Sequence, residues 1–272
     1  MPRPTALLAP LLGAALCVGG GVAIFLAAAP PGEIAAAPAP EIWPDLVQRT
    51  PGALGVRGRD GRFRLGFRSA VENQGPGGLT VRGRRSAGER EMTADQLIDR
   101  SDGSRARVRN IGRIRYTSSR GHDHWHYLFF DRYELRRASD HRLVRPDRKT
   151  GFCLGDRYDP GRTLPRKPAR PVLTGACLKN RPEALNVLQG ISVGYGDDYP
   201  PYLEGQSIDI TGLPAGYYEL VHRANGDRRV RESTHSNNAS SVLLRVGWPR
   251  GADRRPEVER LKSCPQRERC VR

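Results

Sequence analysis

Short segments in which apolar and polar residues alternate, each cut off by glycine, proline or asparagine, constrain this chain more than any other feature. Phe63, Leu65 and Phe67 are spaced by Arg and Gly, and the same period of two runs through Arg113–Tyr116, Tyr127–Leu135, Ser207–Ile210, Tyr217–Val221 and Val242–Val246. A period of two places alternate side chains on opposite faces, as a half-buried strand requires. The segments are punctuated by Asn73-Gln74-Gly75-Pro76-Gly77-Gly78, by Gly212-Leu213-Pro214-Ala215-Gly216 and by Asn225-Gly226-Asp227, all turn-forming compositions. With 31 Gly and 22 Pro in 272 residues, helical bundles and coiled coils are excluded. Only Thr93–Arg100 predicts a short helix, with Thr93 as its N-cap. The expected fold is all-β, an antiparallel β-sandwich-like core with little helix and long irregular loops, the longest from about Asp140 to Ser207. A structureless stretch of that length is either functional or disordered; its cysteines, lysines and Tyr/Asp/Pro cluster favour function.

Residues 4–32 carry no charged side chain and follow Arg3. The apolar run is longer than a signal-peptide core and meets the roughly 20 residues that span a bilayer, so residues 1–32 read as a signal peptide or an N-terminal membrane anchor, with residues 5–29 the anchoring part. Either way the remainder is exported, as a secreted or membrane-anchored protein with its folded part extracellular. Residues 33–45 form a Pro/Ala linker, expected to be extended, and residues 46–272 the folded domain. With Cys17 in the leader, four cysteines remain, an even number suited to an oxidising compartment. The pairs Cys153–Cys177 and Cys264–Cys270 are the simplest of three connectivities.

The sharpest local feature is His122-Asp123-His124-Trp125-His126, which holds three of the six histidines. Imidazole ligates copper, zinc, iron and nickel alike, and alternate strand positions point all three rings to one side. On a flat strand the outer two Cα atoms would lie about 13 Å apart at ~3.3 Å per residue, near the limit for two rings converging on one ion, so the strand is expected to bend or bulge here. Three neutral imidazoles without a thiolate suggest an open catalytic site more than a closed structural zinc. The motif alone does not separate copper from zinc.

Taken in order, several blocks resemble the lysyl oxidase family, copper amine oxidases that carry a lysine tyrosylquinone. GHDHWHYLFFDRYEL is similar to the family's copper-binding stretch, and Arg148-Lys149-Thr150-Gly151-Phe152-Cys153-Leu154 to the block holding the cofactor lysine. Gln189 to Tyr199, continuing to Ile210, resembles the block with the cofactor tyrosine, while Leu213–Tyr218 and Glu232–Asn238 resemble the closing strands. Leu65–Gly75 is a weaker match at the domain entry. The resemblance implies copper held by His122, His124 and His126, and a quinone built from Lys149 and Tyr199. It also implies oxidative deamination of a primary amine or peptidyl-lysine by molecular oxygen, with aldehyde, ammonia and hydrogen peroxide as products. Asp197 or Asp198, beside Tyr199, is the candidate for the base that removes the substrate's α-proton. The family uses the cysteine corresponding to Cys153 in a disulfide. Cysteines are fewer here than in animal members, and the arginine-rich composition fits a bacterial-like single catalytic domain.

Charge alone would suggest another partner, since 45 Lys plus Arg against 29 Asp plus Glu give +16. The arginines are interleaved with acids and belong to no recognition module, so no nucleic acid is expected as partner. The alternative function is a non-catalytic exported metal-binding β-sandwich that binds an anionic envelope polymer. Substrate amines are cations, so the amine oxidase reading expects acids such as Asp197 and Asp198 to make the mouth of the site locally negative.

Overall fold

The computed structural model describes residues 37–119 and 122–271. Residues 1–32, read above as leader, lie outside these. In chain order the strands are β1 Glu41–Ile42, β2 Leu46–Gln48, β3 Gly52–Arg59, β4 Arg62–Asn73, β5 Leu79–Arg84, β6 Glu91–Arg100, β7 Arg105–Thr117, β8 His124–Leu128 and β9 Asp131–Arg137. They continue as β10 Leu143–Pro146, β11 Gly151–Phe152, β12 Asn186–Ile191, β13 Gly196–Tyr199, β14 Ser207–Asp209, β15 Gly216–Ala224, β16 Ala239–Gly247 and β17 Glu257–Cys264. Every pairing among them is antiparallel. Among the described residues there is no α-helix, and none long and apolar enough to cross a membrane. The all-β expectation therefore holds.

Three sheets share one core. The largest runs β11-β8-β7-β6-β5-β12 with β1 on β6; the second runs β10-β9-β15-β16-β17; the third is built on β4, which pairs β13 and β2 along one half and β14 and β3 along the other. The long strand β4 contributes Phe63, Leu65, Phe67 and Val71 to a cluster that also takes Ile114, Trp125, Tyr133, Leu135, Phe152, Leu220, Val242 and Leu244 from the other two sheets. Burying such side chains is worth about 1.5–3 kcal/mol each, which makes this shared cluster the main tie between the sheets.

Thr93–Arg100 is not a helix: it lies within β6, between β5 and β7. Met92, Ala94, Gln96 and Ile98 are buried on one face while Thr93, Leu97 and Asp99 on the other are half-buried, with Asp95 the one buried exception; polar residues at two buried positions hide the alternation in the sequence. Its polar members are paired. Gln96 exchanges hydrogen bonds with the Arg231 backbone, and the Asp95 carboxylate accepts from the Asn110 amide at 2.9 Å, inside the irregularity of β7 that faces it. Two further expectations change. Tyr127–Leu135 is divided by a turn at Phe129, whose φ is +60°, into β8 and β9, which join different sheets. The long Asp140–Ser207 stretch contains β10, β11, β12 and β13, with an irregular part between Cys153 and Leu185. The linker also ends earlier than read, because Glu41 and Ile42 pair with Arg100 and Asp99, and the Pro44 carbonyl accepts from the Ser233 amide at 2.8 Å.

The irregular segment is pinned from several directions. Cys153–Cys177 and Cys264–Cys270 are both bonded, as the simplest connectivity predicted. The buried Asp156 carboxylate accepts from the amides of Val172, Leu173 and Ser192, and the buried Glu72 carboxylate takes Arg49, Arg162 and the Tyr158 hydroxyl. Buried carboxylates satisfied in this way fix a loop in place of a backbone ladder.

Candidate metal centre and the adjoining lysine–tyrosine pair

His124 and His126 share one face of β8, where Thr117↔His124 and Arg115↔His126 are the register partners on β7. The alternate residue, Trp125, is buried on the other side. Its amide donates to the Cys177 carbonyl at 3.0 Å and its indole to the Arg181 carbonyl at 3.0 Å. His122 lies outside the strand, so the chain brings the third ring in by leaving the ladder and not by a bulge within it. One ring nitrogen from each histidine falls within 4.8 Å of the others. Nδ1 of His122 is 3.5 Å from Nε2 of His126, which is 2.7 Å from Nε2 of His124. The far nitrogen of His126, Nδ1, is 3.0 Å from Thr117 Oγ1.

Burial is the leading cause that lowers the pKa of all three rings; with the neighbouring imidazoles and Lys149 it brings His124 to about 4 and His126 to about 3, while His122 is lowered by burial and Lys149 against the opposing pull of Glu204 and Asp123. Three neutral rings thus aim lone pairs at one point, the donor set a divalent transition metal requires. The residues fit a copper ion in number, type and convergence. They line a cleft of about 710 Å³ together with Lys149, Asp197, Tyr199, Arg157 and Lys179.

Lys149 precedes β11 and is only 7% exposed. Its Nζ lies 5.1 Å from the centroid of the Tyr199 ring and donates to the Glu204 carbonyl at 3.4 Å. Burial depresses its pKa to about 8, against the opposing pull of Asp197, Asp131, Glu204 and Asp147. Tyr199 ends β13, held against β4 by the register Tyr199↔Ser69. Its hydroxyl donates to Asp197 Oδ2 at 2.6 Å, with the Cys153 carbonyl at 3.2 Å, and Phe152 packs edge-on to the ring at 5.3 Å. Burial and the Asp197 charge raise the phenol well above its usual range. Asp197 is buried and pushed up to about 7 by desolvation, with the Tyr199 hydrogen bond and Arg157 opposing.

The histidines, Lys149, Tyr199 and Asp197 therefore meet in one cleft. Asp198 also lines it but is paired with Arg68 at 2.8 Å, and Asp197 has Arg157 Nε at 3.9 Å. The locally negative mouth is not what these two acids provide, because each has an arginine beside it. Four side chains of the site escaped the sequence reading. Arg157 donates to the carbonyls of Gly175 and Thr174 and to Cys153 Sγ, bracing the disulfide wall beside Asp197. Gln206 donates to the Tyr199 carbonyl at 3.0 Å, Thr117 supports His126, and Glu204 approaches His122. An arginine in an arginine-rich chain and a glutamate in a loop carry no local signal. Thr117 faces the histidine strand only through the β7–β8 register.

The all-β scaffold thus carries three converging histidines beside a buried lysine–tyrosine pair. The family model described as Lysyl oxidase matches residues 100–247, and the chain belongs to the lysyl oxidase family. It is similar to the protein-lysine 6-oxidase of Gallus gallus, 32% identical over 142 residues, which are 48% of this chain and 30% of the relative. It is also 32% identical over 152 residues to the proteins of that name from Rattus norvegicus and Sus scrofa, covering 51% of this chain and 33% and 54% of theirs. The chain thus spans between about a third and a half of the length of these curated relatives.

Proposed function

We propose that this protein is a copper-dependent amine oxidase that converts primary amines, peptidyl lysine among them, to aldehydes with release of ammonia and hydrogen peroxide. The observation that carries the reading is the buried Lys149 amine 5.1 Å from the Tyr199 ring, in the same cleft as the three converging histidines. Copper on His122, His124 and His126 would supply redox chemistry with oxygen at the Tyr199 ring, and a quinone built from Tyr199 and Lys149 would supply the electrophilic carbonyl for the substrate amine.

The chain's own residues do the rest. Burial keeps the three imidazoles unprotonated and therefore able to ligate. It also leaves a fraction of Lys149 as the free amine, the nucleophilic form. Asp197 Oδ2 holds the Tyr199 hydroxyl proton and, with a pKa near 7, is suited to take a proton at neutral pH. Arg157 lies beside Asp197, Nε to Oδ1 3.9 Å, and is itself braced against the Cys153–Cys177 disulfide. A metal-binding sandwich without catalysis gives no reason to bury a lysine beside a tyrosine. Export through residues 1–32 belongs to the same proposal, and the two disulfides support it.

The test is to load the protein with copper, stain for quinone redox activity and measure amine-dependent peroxide. Lys149→Arg and Tyr199→Phe should each abolish both signals. Full activity in either variant would refute the assignment.

A further inference from the structure

The three histidines are not supported equally. His124 and His126 are fixed by the β7–β8 ladder, and the outer nitrogen of His126 is anchored by Thr117 Oγ1 at 3.0 Å. His122 stands before the strand and has no ladder partner; its backbone amide donates to the Ser119 carbonyl at 2.8 Å. With Nδ1 turned toward the other two histidines, its Nε2 faces Glu204 Oε2 at 3.8 Å. That carboxylate is held in turn by the Ser119 hydroxyl at 2.9 Å. The contacts close a ring: His122 amide to Ser119 carbonyl, Ser119 hydroxyl to Glu204, Glu204 to the His122 imidazole. The same residue also reaches the lysine side of the cleft, since its backbone carbonyl accepts from Lys149 Nζ at 3.4 Å.

We propose that Glu204 is the positioning residue for His122, holding the one ligand that lies off the strand and tying the metal centre to the turn that packs on Lys149. The inference rests on the reading of the three histidines as a copper-holding set. When Nδ1 of a neutral imidazole binds a cation, the proton sits on Nε2 and that end of the ring becomes more positive. A carboxylate facing it both selects this tautomer and strengthens the ligand. At 3.8 Å the effect is one of charge and orientation, so an uncharged isostere should not replace it. Thr117 plays the neutral counterpart on His126, which the ladder already holds.

The experiment is copper(II) affinity by competition with a chelator of known strength, together with electron paramagnetic resonance of the bound ion. It uses the unaltered protein, Glu204→Gln, His122→Ala and the double variant. Glu204 is largely exposed, so the substitution should leave the fold intact, and the thermal midpoint of the copper-free protein checks this. Glu204→Gln is expected to weaken copper binding by roughly 2- to 5-fold, the scale of a screened charge contact from a largely exposed carboxylate, and to alter the nitrogen hyperfine pattern. In the His122→Ala background the same substitution should change nothing further. Wild-type affinity and spectrum in Glu204→Gln, or an equal loss in the His122→Ala background, would overturn the inference while leaving the copper site standing. Copper binding that is absent from the unaltered protein, or that survives loss of all three histidines, would overturn the copper reading and this inference with it.

Discussion

Lysine at position 149 should cost the copper-free protein stability. Its pKa falls from an ordinary 10.5 to about 8 on folding, with burial as the leading cause. At 1.36 kcal/mol per unit the shift amounts to about 3 kcal/mol of preference for the neutral amine in the folded state, which at pH 7 appears as destabilisation. The unfolded chain binds more protons than the folded one between these two values, so stability rises with pH through the window from about 8 to 10.5. Lys149→Met keeps the stem, removes the ammonium and gives up a 3.4 Å hydrogen bond to the Glu204 carbonyl. Allowing about 0.5–1 kcal/mol for that bond, the variant should be more stable by about 2 kcal/mol at pH 7. The advantage should shrink as pH rises through the window. Urea denaturation followed by tryptophan fluorescence, with both proteins kept free of copper so that Lys149 stays unmodified, measures the difference at pH 7 and pH 9. An equal or lower stability of Lys149→Met at pH 7, or a difference independent of pH, would refute the burial argument.

Three further outcomes are expected. Replacing Cys153 and Cys177 by serine opens a closure of 24 residues and should lower unfolding stability by about 3.5 kcal/mol on a chain-entropy estimate, against about 2 kcal/mol for Cys264 and Cys270, which are separated by only 6; equal urea midpoints for the two double variants would contradict it. Because Asp197 must be ionised to take a proton and its pKa is about 7, kcat/KM should rise as pH increases through 7, and Asp197→Asn should remove that limb from the pH–rate profile while lowering the rate. Gly205 has φ +80° and an added Cβ would sit 2.9 Å from the Lys149 Cβ, so Gly205→Ala should cost about 1 kcal/mol and slow the appearance of quinone staining at least several-fold; unchanged staining kinetics would show that the turn does not govern Lys149.

The sequence made the sheets legible where apolar side chains mark the buried face and concealed them where polar side chains occupy it. Phe63, Leu65 and Phe67 alternate with more exposed residues along β4, and the reading there was correct. In β6 the residues TADQLIDR are helix-permissive, and Asp95 and Gln96 are buried with distant partners in β7 and at Arg231, so neither alternation nor hydrophobicity marks a strand. The long central stretch hid β12 for a related reason: it pairs with β5, far back in the chain, and no local turn announces it. Within the site, the three histidines were visible because they are contiguous. Lys149 and Tyr199 stand 50 positions apart and were singled out only through the resemblance to a known family. Arg157 and Glu204 act through carbonyls, a disulfide and an imidazole contributed by other segments, and nothing near them in sequence encodes those partners.

Protonation is the part of the chemistry that no local reading of the sequence can supply. Asp147-Arg148-Lys149 reads as a charged loop and Asp197-Asp198-Tyr199 as an acidic turn, yet inside the cleft Lys149 and Asp197 both shift toward their neutral forms, as do the histidines. One cause, removal from water, acts on all of them and moves bases down and acids up. Because the starting values differ, the consequences at a given pH differ too. Above about pH 8 the imidazoles are neutral, Lys149 is mostly the free amine and Asp197 is an anion, whereas below about pH 7 both the lysine and the aspartate hold their protons. Burial brings deprotonation of Lys149 down to about pH 8 from an ordinary 10.5 and defers ionisation of Asp197 to about pH 7 from an ordinary 3.8, so the free amine and the carboxylate coexist from about pH 8 upward. The sheet framework and the disulfide-braced loop impose that burial; on a surface loop the carboxylate would already be ionised, but Lys149 would stay protonated through the same range.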